Sequence, residues 1–327
     1  MILVTGASGL LGSHLVDALV ARGDAVRALL LPGEDASRLE AQGVEISRGD
    51  LTDAASLVAA TRGVSLVMNC GAKTGPWGDP ALYEAINVRG LEALTRAAMD
   101  AGASRVVHVS SITVHGNDVR GTADETAPFH DEPNPYTRTK IAGELLLQRM
   151  VAEEGAPVVI VRPGWIYGPR DAASFGRFAA MIQRGGMVVI GSGRNHIPLI
   201  YVTDVAQGMM RAAAAPQAVG QAYLLVNDER VTQIQYLSLI AKDLNVPAPT
   251  RHIPYAFAVA AGASAETAFK LMRRESPPPL MRYGLQLLGG ENAFVITKAR
   301  RELGFEPQVA MADGVRRSVD WFQSRSA

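Results

Sequence analysis

The sequence predicts an α/β protein: a doubly wound parallel sheet followed by a smaller, irregular C-terminal lobe. Two observations carry this. Short apolar runs at residues 2–5, 25–30, 44–47, 65–69, 105–110 and 158–162 read as strands, and helical patterns at 12–22, 80–101 and 136–154 fall between them. Strand, helix, strand at this spacing marks a parallel sheet with crossover helices, whose ligands sit beyond the carboxyl ends of the strands. After Gly168 the rhythm degrades: Gly185-Gly186, Gly191, Gly193 and Pro277-Pro278-Pro279 punctuate the chain. A helical stretch at 203–214 and a strand at 222–226 are expected to return to the first sheet. The expected division is a dinucleotide-binding domain at 1–168, with 198–228 returning to it, and a mainly substrate-binding lobe at 169–327.

Composition narrows the function classes. A chain of 327 residues buries a large core without disulfides or metals. Its 32 basic and 32 acidic side chains cancel, so no long-range field draws it to nucleic acid. The single cysteine, Cys70, forms no internal disulfide and fits a reducing compartment. The apolar start at 1–20 is broken by Gly6, Gly9, Gly12, His14 and Asp17 and has no basic leader. No run of about 18 uncharged apolar residues occurs. The nearest stretch, 256–265, is short and followed by Glu266 and Lys270; it allows a weak peripheral membrane contact. The expectation is a cytoplasmic enzyme with a small-molecule substrate. The six histidines show no metal-ligand spacing, so no metal site is expected.

Along the chain, the first chemical feature is Thr5-Gly6-Ala7-Ser8-Gly9-Leu10-Leu11-Gly12, directly after the first strand and opening the first helix. Glycines there let the backbone approach a pyrophosphate, and the helix N-terminus offers it free amides. The second is Tyr136 and Lys140. Four residues apart on a helix, they share a face. Deprotonating a tyrosine of pKa near 10 at neutral pH costs about 4 kcal/mol. An ammonium about 5 Å away, at an effective dielectric near 20, returns roughly 3 kcal/mol. Tyr136 would then act as general acid or base near neutrality, with Ser111, at a strand end, hydrogen-bonding the substrate oxygen. Cys70 and His115 read as packing residues rather than catalytic ones, and His14 as an ordinary helix residue.

The Gly6-x-x-Gly9-x-x-Gly12 spacing after a threonine resembles the extended branch of the short-chain dehydrogenase/reductase superfamily, with its Rossmann-type sheet. Further matches follow in order: Asp50-Leu51, Cys70-Gly71-Ala72, Asn87-Val88-Arg89-Gly90, Ser110-Ser111-Ile112-Thr113-Val114-His115-Gly116, Tyr136-Thr137-Arg138-Thr139-Lys140, Arg162-Pro163-Gly164-Trp165-Ile166-Tyr167-Gly168-Pro169 and Tyr201-Val202-Thr203-Asp204-Val205. The resemblance implies Ser111, Tyr136 and Lys140 as catalytic residues. It implies a cofactor, NAD or NADP, held by Gly6, Ser8, Gly9, Leu10, Leu11, Gly12, Asp50, Leu51, Cys70, Gly71, Ala72, Asn87, Tyr136, Lys140, Pro163, Gly164 and Ile166. The second strand ends in Leu29-Leu30-Leu31-Pro32, which carries neither the acid of NAD enzymes nor the arginine of NADP enzymes; Arg38 could reach a 2′-phosphate or face water.

Within that superfamily, Lys73-Thr74-Gly75-Pro76-Trp77-Gly78, Pro279-Leu280-Met281-Arg282-Tyr283 and Thr297-Lys298-Ala299-Arg300-Arg301-Glu302-Leu303-Gly304 resemble bacterial relatives of 3β-hydroxysteroid dehydrogenase. Trp165 stands where sugar-nucleotide members place an asparagine, and it offers apolar area in place of an amide. Lys73, Trp77, Thr113 and Trp165 are the expected substrate residues. The implied reaction interconverts a secondary alcohol and a ketone on a hydroxysteroid or a long-chain β-hydroxy or β-keto acid. A sugar-nucleotide epimerase or dehydratase is the alternative, and a non-catalytic cofactor-binding regulator a minor one. Family members often dimerise through helices equivalent to 80–101 and 136–154, so a homodimer is expected.

Overall fold

The structure, a computed structural model, describes residues 1–325. In chain order, the first half runs β1 (Ile2–Thr5), α1 (Leu10–Ala21), β2 (Val26–Leu30), β3 (Glu45–Arg48), α2 (Ala54–Thr61), β4 (Leu66–Asn69), α3 (Pro80–Glu84), α4 (Gly90–Asp100), β5 (Arg105–Val109), α5 (Pro135–Glu154) and β6 (Val158–Pro163). The second half adds α6 (Phe175–Gln183), α7 (Val202–Ala214), β7 (Ala222–Leu225), α8 (Gln233–Asp243), α9 (Tyr255–Leu271), α10 (Arg282–Gly289), α11 (Thr297–Leu303) and α12 (Met311–Ser324). The seven strands form one parallel sheet in the order β3-β2-β1-β4-β5-β6-β7. The order reverses between β1 and β4, which opens a crevice at their carboxyl ends.

The central strands are mostly apolar because helices cover both faces; every residue of β6 is buried, Arg162 included. The stretch read as one helix at 80–101 is α3, a π-helical turn at Ala85–Arg89 and α4 in unbroken succession. Asn134 caps α5 by accepting a hydrogen bond from the Thr137 amide at 2.8 Å, and Pro135 takes the first helical position, where a missing N–H is harmless.

After β6 the chain builds a second core around Tyr167, Phe175, Ile190, Tyr236, Leu237 and Val315. It returns with α7 and β7, then again with Ile296, Ala299, Leu303 and Phe305, which join the core of the main sheet. Short parallel ladders, Trp165–Tyr167 with Leu199–Tyr201 and Val189–Ile190 with His252–Ile253, organise the second lobe. No helix among the described residues is long and apolar enough to cross a membrane.

Candidate active site

A cavity of about 960 Å³ lies at the β1/β4 crevice and extends to the second lobe. One end is the glycine loop. Gly6 adopts φ +63°, and a Cβ there would come within 2.9 Å of the Cys70 carbonyl carbon. A Cβ on Gly12 would meet the Gly6 carbonyl oxygen at 2.1 Å, so α1 can pack this close only with glycine. The N-cap of α1, Gly9, supplies no side-chain hydrogen bond, which leaves the first-turn amides to the cavity. That is the donor set a diphosphate requires, and the cradle fits a dinucleotide. Beneath it, a buried polar row ties the strands together. Thr5 Oγ1 donates to Asn69 Oδ1 (2.6 Å) and accepts from the Gly71 amide (3.0 Å), and Asn69 Nδ2 meets His108 Nδ1 (3.0 Å). Burial drives the His108 pKa well below its usual value, so the ring is neutral and Nδ1 accepts.

At the other end, Ser111 follows β5, and α5 carries Tyr136 and Lys140 on the face that lines the same cavity. Ser111 and Tyr136 line the same stretch of the wall. Lys140, only 3% exposed, donates from Nζ to the Val109 carbonyl at 2.7 Å and stands 5.8 Å from the centre of the Tyr136 ring. One turn on, Glu144 is fully buried and accepts from Ser110 Oγ and from the Arg162 guanidinium. Arg162 also donates to His115 Nε2 at 3.1 Å. The Glu144–Arg162 pair therefore bolts α5 to β6 and to the strand end that carries Ser111.

The electrostatics correct one sequence expectation. Burial, partly offset by the nearby Ser111 hydroxyl, pushes the Tyr136 phenol up to about 12. The same burial pulls the Lys140 ammonium down to about 8, against the charge of Glu144. Desolvation is the largest cause of both shifts, because both groups lie in one low-dielectric pocket that penalises a phenolate and an ammonium alike. At neutral pH the chain alone thus presents a protonated phenol beside a lysine still mostly charged.

Most of the remaining expected residues meet in the cavity. Ser8, Leu10, Leu11, Asp50, Leu51, Cys70, Gly71, Ala72, Lys73, Thr113, Pro163, Gly164, Trp165 and Ile166 all line it. Burial raises the Cys70 thiol to about 12, so it is no nucleophile at neutral pH. Two residues lie elsewhere. Asn87, in the π-turn, is not on the wall; its amide accepts from the Lys73 N–H (2.8 Å) and donates to the Lys73 carbonyl and Thr139 Oγ1 (3.0 Å each), bracing the loop that is. Trp77 lines a separate small cavity of about 120 Å³, where it donates to the Arg274 carbonyl and packs edge-on against Phe269. Trp165 spends its Nε1–H on Ser174 Oγ (2.7 Å) and packs against Phe178 and Tyr236.

The structure adds wall residues that the sequence reading passed over. Glu34 folds back behind β2, accepting from Ser8 Oγ (2.5 Å) and the Leu31 amide (3.0 Å). Arg38 is tied to Asp17 at 2.6 Å. Arg170, one residue beyond the quoted Arg162–Pro169 motif, reaches Ser13 Oγ and Asp17 from the cavity rim. Tyr283 and Leu287 of α10 close the cavity from the second lobe, the Tyr283 ring standing edge-on to Tyr136 at 6.2 Å.

The family described as NAD dependent epimerase/dehydratase matches residues 2–225. A 2-alkyl-3-oxoalkanoate reductase of Stenotrophomonas maltophilia is 32% identical, with 97% of each chain covered. The human sterol-4-alpha-carboxylate 3-dehydrogenase, decarboxylating, is 30% identical over 98% of this chain and 87% of its own. Among solved structures, gox2253 superposes with a TM-score of 0.84 at 26% identity, covering 99% of this chain and 98% of that one. The NAD complex of a UDP-glucuronic acid 4-epimerase from Bacillus cereus superposes with a TM-score of 0.78 at 21% identity, over 100% of this chain and 99% of that one, and shares the fold.

Proposed function

The chain belongs to the NAD-dependent epimerase/dehydratase family and is an NAD(P)-dependent oxidoreductase; on that premise, we propose that it reduces a ketone on an apolar substrate, of the long-chain β-keto acid or steroid type, with Tyr136 as the proton donor. The observation that carries this reading is the convergence of Ser111, Tyr136 and Lys140 on a cavity that also opens onto the Gly6–Gly12 cradle. Bound in that cradle, the reduced nicotinamide would supply the hydride. Ser111 hydrogen-bonds the ketone oxygen. Tyr136, a phenol with its pKa near 12, holds its proton until the oxygen becomes basic and then passes it on. The phenolate left behind is stabilised by Ser111 and the Lys140 ammonium, whose reach of 5.8 Å to the ring suits an electrostatic rather than a proton-relay role.

Substrate class is supported by the relatives' names and by the wall. Leu82, Ile86, Leu287 and Trp165 give apolar area, and the tryptophan's one polar atom is already spent on Ser174. Glu34 supports NAD over NADP: a carboxylate beside Ser8, with Arg38 engaged by Asp17, disfavours a 2′-phosphate. Gripping the substrate falls mainly to residues beyond 168, through Trp165's neighbours and α10. Leu145 on α5 is 48% exposed, in keeping with a homodimer across that helix. The tip between α9 and α10 presents Leu271 (81% exposed), Met272 and Leu280, an apolar edge consistent with a weak peripheral membrane contact in a cytoplasmic enzyme.

The test is direct. The protein is given NADH or NADPH with panels of 3-oxo acids, 3-oxosteroids and, for the epimerase alternative, UDP- and dTDP-sugars with a product assay. Loss of absorbance at the reduced-cofactor band with an apolar ketone is the expected result. Turnover of sugar nucleotides alone would replace this reading with the alternative.

A further inference from the structure

We propose that Asp17 is a positioning residue for the cofactor: from the flank of α1, its carboxylate ties two segments of the cavity wall to the helix that carries the glycine cradle, and so sets how long the dinucleotide stays bound. The inference rests on the cofactor half of the reading above and on none of the ketone chemistry.

The two segments come from different halves of the chain. After β2, Leu31 and Glu34 line the cavity, and Arg38 follows in the next helical turn. Arg38 Nη1 donates to Asp17 Oδ1 (2.6 Å), and Gln42 Nε2 donates to the same oxygen (2.8 Å). Beyond β6, residues 170–174 line the cavity as one continuous stretch. Arg170 Nη2 pairs with Asp17 Oδ2 (2.7 Å), and its Nη1 donates to Ser13 Oγ (3.1 Å). A further bond joins His14 Nε2 to the Pro169 carbonyl (2.9 Å); a carbonyl only accepts, so that nitrogen carries the ring proton. Each oxygen of the Asp17 carboxylate therefore holds one segment.

An isolated ion pair at a surface contributes little, because each partner finds water as readily. This carboxylate is placed differently, with its side chain only 28% exposed. Burial by itself would raise its pKa, yet the Gln42 and Arg170 hydrogen bonds hold it below the ordinary carboxylate value, so it is charged at neutral pH. Arg170 has φ +73°, a left-handed conformation that costs a non-glycine residue and persists where its surroundings hold it. Just downstream, Asp171 accepts from the Ser174 and Phe175 amides (2.8 and 3.0 Å), and Phe175 is buried in the second core. The stretch 169–174 is thus fixed to the second lobe at one end and to α1 at the other, with the strained residue at the α1 end. A dinucleotide on the cradle fills the space that both segments wall, so its release requires them to yield and the Asp17 bonds to break.

Stopped-flow release of NADH, followed by its fluorescence during a chase with excess NAD, tests this without any ketone. Asp17→Asn keeps the shape of the side chain and removes its charge. It is expected to raise the NADH off-rate about tenfold while the on-rate changes little. Arg170→Ala should act in the same direction, and the double variant should release NADH no faster than Asp17→Asn alone, because that tie is already open. Asp17→Glu, which keeps the charge, should recover most of the retention. In the unaltered protein, raising salt from about 0.05 M to about 1 M should hasten release severalfold by screening both pairs, an arm that stands even where a variant fails to fold. An Asp17→Asn off-rate within about twofold of the unaltered protein, multiplying effects in the double variant, or release indifferent to salt overturns the proposal. A protein that holds NADH but reduces no ketone defeats the functional reading, while the same rates still decide this one; a protein that binds neither NADH nor NADPH defeats both.

Discussion

Replacing Lys140 with methionine should make the protein more stable at neutral pH while removing most of its turnover. Lys140 is 3% exposed, and burial lowers its pKa from 10.5 to about 8. At about 1.4 kcal/mol per pH unit, keeping it charged at pH 7 costs the folded state about 3 kcal/mol. Methionine has a similar length and no charge. It forfeits the hydrogen bond to the Val109 carbonyl, worth about 1 kcal/mol, so a net gain of roughly 2 kcal/mol remains. For a chain of this size that is about 3 °C in Tm. The pH dependence gives the signature. Between about pH 8 and 10.5 the unfolded chain carries a proton on this lysine that the folded chain lacks, so wild-type stability climbs with pH through that window. The variant has no such group, and its advantage should be full below pH 8, gone by about pH 10 and slightly reversed above that. Paired thermal or urea unfolding of both proteins at pH 7, 8.5 and 10 measures the difference. A variant less stable than wild type at pH 7, or an advantage that grows with pH, would refute the reasoning. The same ionisation predicts that wild-type ketone reduction declines as pH rises through about 8.

Other substitutions probe the rest of the site. Tyr136→Phe should leave NADH affinity, read by fluorescence titration, within a few-fold and lower kcat by about a hundredfold or more; near-normal turnover would remove Tyr136 from the acid role. Glu34→Ala should shift the NADPH/NADH ratio of kcat/KM toward NADPH by about tenfold, since it deletes one charge that opposes the 2′-phosphate. Arg162→Met strands the fully buried Glu144 carboxylate and should cost about 3–5 kcal/mol in urea unfolding, much of it recovered in the double variant with Glu144→Leu.

What could be read from the sequence was whatever is written locally. The strands of the sheet are legible because burial on both faces makes them near-continuous apolar runs, as at residues 158–161. The glycine loop and the Tyr136–Lys140 pair are legible because their geometry is set by spacing within one turn or one helix. The π-turn at Ala85–Arg89 left no composition signal, since it changes a hydrogen-bond register rather than a residue type. Glu34 escaped because it returns to the cavity through a turn, four positions past the end of β2, where an acid was sought. Tyr283 escaped for a different reason: it meets the Tyr136 ring from the far end of the chain, and no local pattern announces a contact of that range. The ionisation of Tyr136 was misjudged because a pairwise Coulomb sum omits the solvent that folding removes, and here that term is the larger one.

The way the last strand joins the sheet limits how the molecule can move. β7 enters only after the chain has already visited the second lobe, and the segment around Phe305 crosses back again before α12 leaves for the other side. The two cores are stitched by several passes of backbone rather than strung on a single linker. A wide clamshell opening, as in proteins whose halves share one hinge, would strain all those passes at once. The parts outside the stitching are the exposed face of α9 and the Trp77 loop, so any widening for a bulky substrate would fall there while the cradle keeps its register. Cutting the chain after Gly168 would not liberate a cofactor module either, for its sheet would lack an edge strand and its core the side chains of Tyr223 and Phe305.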